Sequence, residues 1–174
     1  MSRIAQKPPK EREAFIEEAA ARLGTLPVIV EKDYWVCWLL GVIFSDPHWE
    51  PHLVFKGGTS LSKVFNAIRR FSEDIDLSVS PTALGHDEGD LDNAPSKSMR
   101  GKRFKQLQVS CAAMVSGPLQ TDLEVVVSQS LGQPRHRKTW FRYEVDPRTD
   151  SPVMWFDYES VLPTVGGYII PAVK

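Results

Sequence analysis

Residues 53–80, LVFKGGTSLSKVFNAIRRFSEDIDLSVS, constrain the fold more than any other part of the chain. Leu53, Val54 and Phe55 make a short apolar run suited to a buried strand. Gly57 and Gly58 end it, and Thr59 and Ser60 supply side chains able to cap a helix. Leu61, Val64, Phe65 and Ile68 then recur at helical spacing, with Lys63 on the charged side. After Phe71 the period changes to two: Ile75, Leu77 and Val79 fall on one face, Asp74, Asp76 and Ser78 on the other. The expected order is strand, glycine turn, helix, strand.

This alternation sets Asp74 and Asp76 on one strand face, about 7 Å apart along the chain. Two carboxylates so placed repel, and the arrangement makes chemical sense chiefly with a cation between them. A hard ion such as Mg²⁺ takes one or two carboxylates together with substrate phosphates. The glycine turn supplies the complementary half. Without Cβ atoms its backbone can approach a ligand, and N–H groups at the start of a helix favour an anion. Turn and aspartates together describe a nucleoside triphosphate site. An EF-hand reading of Asp74-x-Asp76-x-Ser78 fails, because Val79 stands where that loop requires glycine.

At these residues the chain resembles the AbiEii/AbiGii-type nucleotidyltransferases, toxin-like members of the DNA polymerase β-like superfamily. The likeness rests on Lys56-Gly57-Gly58-Thr59-Ser60-Leu61 and on Arg70-Phe71-Ser72-Glu73-Asp74-Ile75-Asp76-Leu77. Val30-Glu31-Lys32-Asp33-Tyr34-Trp35-Val36 supports it upstream, and a looser match runs from about residue 28 to the end. The resemblance implies an α+β nucleotidyltransferase core, a small mixed β-sheet with helices packed on one side. It implies metal-dependent transfer of a nucleotidyl group from an NTP to an acceptor, with RNA (tRNA among the candidates) or protein as the acceptor. Asp74 and Asp76 would be the catalytic, metal-binding pair for Mg²⁺ or Mn²⁺. Lys56, Gly57, Gly58, Thr59, Ser60, Lys63 and Arg70 would hold the nucleotide. A toxin role with a cognate antitoxin is implied on the same ground. The rival reading is a catalytically inactive remnant that binds NTP or a partner.

The resembled pattern continues past a Val-Lys pair to a third acidic residue and a helical C-terminal part, whereas this sequence reads Val173-Lys174 and stops. The expectation is therefore an N-terminal portion of a longer parent. Asp157 and Glu159, on one face of a nearby strand pattern, are candidate substitutes for the third carboxylate, read more simply as strand-surface residues.

The rest of the chain frames that core as a single domain, residues 1–174. A helical N-terminal segment covers 1–50. Pro8 and Pro9 lead into a helix with an apolar stripe of Phe15, Ile16, Ala19, Ala20 and Leu23 and a stop at Gly24; Glu11, Arg12, Glu13, Glu17 and Glu18 read as its solvated face. A second helix, 28–44, is apolar all round and therefore buried on most sides. Glu31, Lys32 and Asp33 interrupt it, as charges paired with neighbours or as a border of the nucleotide site. Residues 51–80 form the motif core, and 81–95 an acidic, Gly- and Pro-rich flexible loop. Helices are expected over 96–132, with a break at Gly117-Pro118 and with 123–127 readable as helix or strand, helix preferred. Strands follow over 138–145, 153–159 and 168–173. The basic groups Lys97, Arg100, Lys102, Arg103, Lys105 and Arg135, His136, Arg137, Lys138, Arg142 are local patches in a chain of net charge −1, so no bulk attraction to nucleic acid is expected. His48 and His52 lack a third ligand at suitable spacing. Two widely separated cysteines, a charged N-terminus and a longest apolar run well short of the ~20 residues that span a bilayer point to a soluble cytoplasmic protein without membrane association.

Overall fold

The described residues form helices and two short antiparallel β-hairpins, each a separate two-stranded sheet. The computed structural model describes residues 2–58, 60, 73–163 and 170–174. The expected helix of Leu61 to Ile68, the expected site residues Thr59, Lys63 and Arg70, and Tyr168 and Ile169 of the expected last strand lie outside them.

Helix α1 (Ser2–Ala5) is followed by α2 (Pro9–Leu23), which opens on proline and closes where Gly24 takes φ 63° and its N–H bonds the Ala20 carbonyl. The buried stripe of α2 is Arg12, Ile16 and Ala20, while Leu23 is 71% exposed and Phe15 is exposed as well. The helix is thus rotated from the orientation that apolar spacing alone suggests, and Arg12 belongs inside rather than on the solvated face. Its guanidinium lies over the Trp35 ring, 5.7 Å from the centroid, and donates to the Ala5 carbonyl. The long stem and planar head let arginine fill such a site.

Helix α3 (Pro27–Ile43) buries Glu31, Lys32, Trp35, Val36, Trp38, Leu39 and Ile43. Strand β1 (Leu53–Lys56) pairs antiparallel with β2 (Asp76–Val79), Leu53 opposite Val79 and Lys56 opposite Asp76. Helix α4 (Lys97–Met114), N-capped by Ser96, runs through a π turn (Val115–Leu119) directly into α5 (Gln120–Leu131). The expected break at Gly117-Pro118 is therefore a continuous helical run. Pro118 lacks an N–H, the wider turn absorbs its ring, and the Thr121 hydroxyl donates to the Gly117 carbonyl at 2.9 Å. Strands β3 (Phe141–Val145) and β4 (Pro152–Phe156) make the second antiparallel hairpin. This is the α+β class, with all described strand pairs antiparallel.

Phe156, with no exposed surface, is the centre of the core. It stacks on Trp38 with ring centroids 5.7 Å apart and touches Trp35, Phe141, Trp140 and Tyr158. Burying rings of this size dominates the energetics of a domain this small. Val173 then pairs with Phe156 by two backbone hydrogen bonds, and the Lys174 carbonyl accepts from Ile75 N–H at 2.8 Å. Those two residues stitch the β3–β4 hairpin to the chain entering β2.

Candidate active site

The site grows from the end of β1. Lys56 is exposed, and the chain after it turns at Gly57, whose φ of 71° lies in the left-handed region. The Ser60 hydroxyl donates back to the Gly57 carbonyl at 2.8 Å and is buried, tightening the turn. A Cβ built on Gly57 would lie 2.0 Å from Asp76 Oδ2 and 2.8 Å from its Cγ. The missing side chain is therefore what allows the Asp76 carboxylate to lie against the turn. The sequence placed turn and aspartates in one site; the structure brings Gly57 and Asp76 into direct contact, and it is Gly57 that carries both the contact and the left-handed conformation.

Asp76 begins β2, opposite Lys56, and Asp74 lies just before the strand rather than on it. The alternation still holds over these residues, since Asp74 and Asp76 are exposed and Ile75 between them is half-buried. Both carboxylates line a cleft of about 400 Å³ between β2 and the β3–β4 hairpin. Its floor is apolar, with Leu39, Ile43, Leu119 and Phe156, and its rim carries Asp146, Thr149, Ser151 and Lys174. Asp146 is held below the usual carboxylate range by the N–H groups of Arg148 and Thr149, aided by the charge of Lys174.

Behind the aspartates lies a buried polar cluster that sequence spacing did not assemble. Lys32 is 3% exposed, and its Nζ donates to Glu73 Oε2 at 2.6 Å. Glu31, 1% exposed, accepts from Ser160 Oγ at 2.6 Å and from Val161 N–H at 2.9 Å. Burial pushes the Glu31 carboxyl up, against the pull of those two bonds and of Arg12. Tyr158, stacked on Trp35, is raised above its ordinary value by burial and then by Glu31 and Glu73. The signal available in the sequence was the charge cluster inside an otherwise apolar helix.

Other candidates are engaged elsewhere. Asp157 is 5% exposed, not a strand-surface residue, and is held by Arg137 and by Arg142 Nε at 2.8 Å. Glu159 takes the Arg135 N–H and side chain. Much of the second basic patch thus closes on the chain's own carboxylates. In the first patch, Arg103 reaches the Asp90 carbonyl at 2.5 Å and Arg100 stands 3.6 Å from Asp92, so the 81–95 loop answers the positive charge at the start of α4.

Among the described residues, no group of three or more His, Cys, Asp or Glu could hold a metal by itself. The donor set at the turn is two exposed carboxylates, all hard oxygen, which fits a cation such as Mg²⁺ that completes its shell with phosphate and water. No described helix is long and apolar enough to cross a membrane.

No curated protein and no solved structure matches the chain. The family model described as nucleotidyl transferase AbiEii toxin, type IV toxin–antitoxin system, matches residues 38–164, well over half of the sequence. It takes in the glycine turn, both aspartates and the β3–β4 hairpin, and starts after Glu31 and Lys32. The chain belongs to the AbiEii family of nucleotidyl transferase toxins.

Proposed function

We propose that the protein transfers a nucleotidyl group from an NTP to an RNA or protein acceptor, and that it is the toxin of a pair with a cognate antitoxin. The observation that carries the reading is the contact between the Gly57 turn and the Asp76 carboxylate. It joins an anion-accepting backbone to a cation-binding side chain within one ligand's reach. In the transfer, the acceptor hydroxyl attacks the α-phosphorus and pyrophosphate leaves, while the hydroxyl proton passes to a base.

The turn at Gly57 and Gly58 admits the triphosphate close to the backbone, and Lys56 beside it offsets phosphate charge. Ser60 holds the turn closed through its bond to the Gly57 carbonyl. Asp74 and Asp76 would hold Mg²⁺ or Mn²⁺, and a bound cation would supply charge neutralisation at the phosphates. Thr59, Lys63 and Arg70 are assigned to the nucleotide by the family resemblance.

The test is transfer of α-labelled NTPs to a total RNA extract, with Asp76→Asn in parallel. Label entering RNA or protein with the wild type alone is the expected result. Saturable NTP binding without transfer would favour the inactive, nucleotide-binding remnant instead.

A further inference from the structure

The Lys32–Glu73 pair is not absorbed by the chemistry of the turn, and Lys32 lies outside the residues matched by the family model. An ammonium at 3% exposure must be paired, and its partner Glu73 is 39% exposed, so one end of the pair is anchored in the core and the other reaches the surface. Glu73 is the residue before Asp74. On the other side of Asp74, Ile75 N–H is bonded to the Lys174 carbonyl at 2.8 Å. Asp74 therefore sits between two tethers, one to a helix and one to the C-terminal residues. The helical anchor is itself fixed: Glu31 is bonded to Ser160 and Val161, and Trp35, one turn further on, stacks on Tyr158 at 5.4 Å.

We propose that Lys32, acting through Glu73, is a positioning residue that sets where Asp74 and Asp76 stand relative to the Gly57 turn, and thereby sets their affinity for a divalent cation. It touches neither cation nor nucleotide. Removing it frees the Glu73 carboxylate beside Asp74 and loosens the chain entering β2. The inference rests on the metal-binding reading above, and its test separates the two. Groups that orient a metal's ligands typically change affinity tenfold to a hundredfold when removed.

The experiment is Mn²⁺ titration of the whole chain, followed by electron paramagnetic resonance, for the wild type, Asp76→Asn, Lys32→Met, Glu73→Gln and the double variant Lys32→Met/Glu73→Gln. Circular dichroism and melting curves accompany each. We expect Asp76→Asn to lose Mn²⁺ and both single variants to weaken it about tenfold or more while remaining folded. The double variant should be no weaker than the weaker single, since each single breaks the same contact. Glu73→Gln, at a half-exposed position, keeps the test decisive if Lys32→Met does not fold. Wild-type Mn²⁺ affinity in a folded single variant, or losses that multiply in the double, overturns the inference alone. Mn²⁺ binding that survives Asp76→Asn, or is missing from the wild type, overturns the metal reading and this inference with it.

Discussion

The two hairpins are built alike and buried very differently. Each pairs two antiparallel strands of four or five residues. In β3–β4, Phe141, Val153 and Phe156 are buried, and Phe156 carries the aromatic core. In β1–β2 only Leu53 is buried, Val54 is exposed, and Lys56 and Asp76 face solvent at the open end. A two-stranded ribbon is marginal by itself. The β3–β4 hairpin is held by the core that Phe156 centres; the site hairpin reaches that core through Leu53, Leu77 and Val79 and is tied further by the bonds of Ser60, Lys174 and Glu73. Local stability of this uneven kind is expected where a ligand must be admitted.

The sharpest way to break the comparison is to truncate one strand side chain in each hairpin, the buried Phe156 and the exposed Val54. Phe156→Ala should cost about 3–5 kcal/mol in urea unfolding. Val54→Ala should stay within about 0.5 kcal/mol. Equal losses at the two positions would show that the hairpins share the burden of the fold.

Gly57→Ala comes next. The left-handed backbone costs an alanine about 1–2 kcal/mol, and its Cβ would strike the Asp76 carboxylate. We expect a folded, moderately destabilised protein whose melting temperature no longer rises with NTP and Mg²⁺. An intact ligand response would place the phosphates away from this turn.

Local pattern made much of the frame legible. Gly24 after an apolar stripe and Pro27 before another mark the ends of α2 and α3, and the change from helical to alternating period around Phe71 anticipates β2. Rotation about a helix axis was not legible, because Phe15 and Leu23 are as apolar as Ile16 and Ala20, and only the packing of Arg12 on Trp35 decides which stripe is inside. Pairing at a distance was equally silent. Lys32 and Glu73 stand 41 residues apart, and nothing in either segment names the other. The Gly57–Asp76 contact was approachable, since the turn and the aspartates already demanded one ligand. Asp157 misleads by its spacing: alternation puts it on a strand face, but two arginines draw it inward.

Smaller effects come from the ionisable groups behind the site. Tyr158 has its phenol raised above 10.0 by burial. The unfolded chain releases this proton first, so stability present below pH 10 is lost as pH rises toward the folded value. Tyr158→Phe should flatten the alkaline limb of the melting temperature. Glu31 is raised above 4.5 by the same cause, so its contribution is fully present below that pH and declines as pH climbs through the folded value. Glu31→Gln should remove that decline. A steeper slope in either variant would contradict the burial argument.

The smallest change in stability is expected at Asp76, the residue to which the proposed function gives the metal. Asp76 is exposed, stands opposite Lys56 and shares its face with Asp74. Replacing it with asparagine loses a cross-strand attraction worth about 0.2–1 kcal/mol and relieves repulsion from Asp74, two terms of opposite sign. Asp76→Asn should therefore melt within a few degrees of the wild type in the absence of metal. With Mg²⁺ or Mn²⁺ added, the wild type should rise by ligand linkage, and further with NTP, while the variant stays flat. A residue kept for folding would show the reverse, a large fall without metal and an undiminished rise with it. That outcome would make the site hairpin a structural twin of β3–β4 and remove the reason for calling its open end an active site.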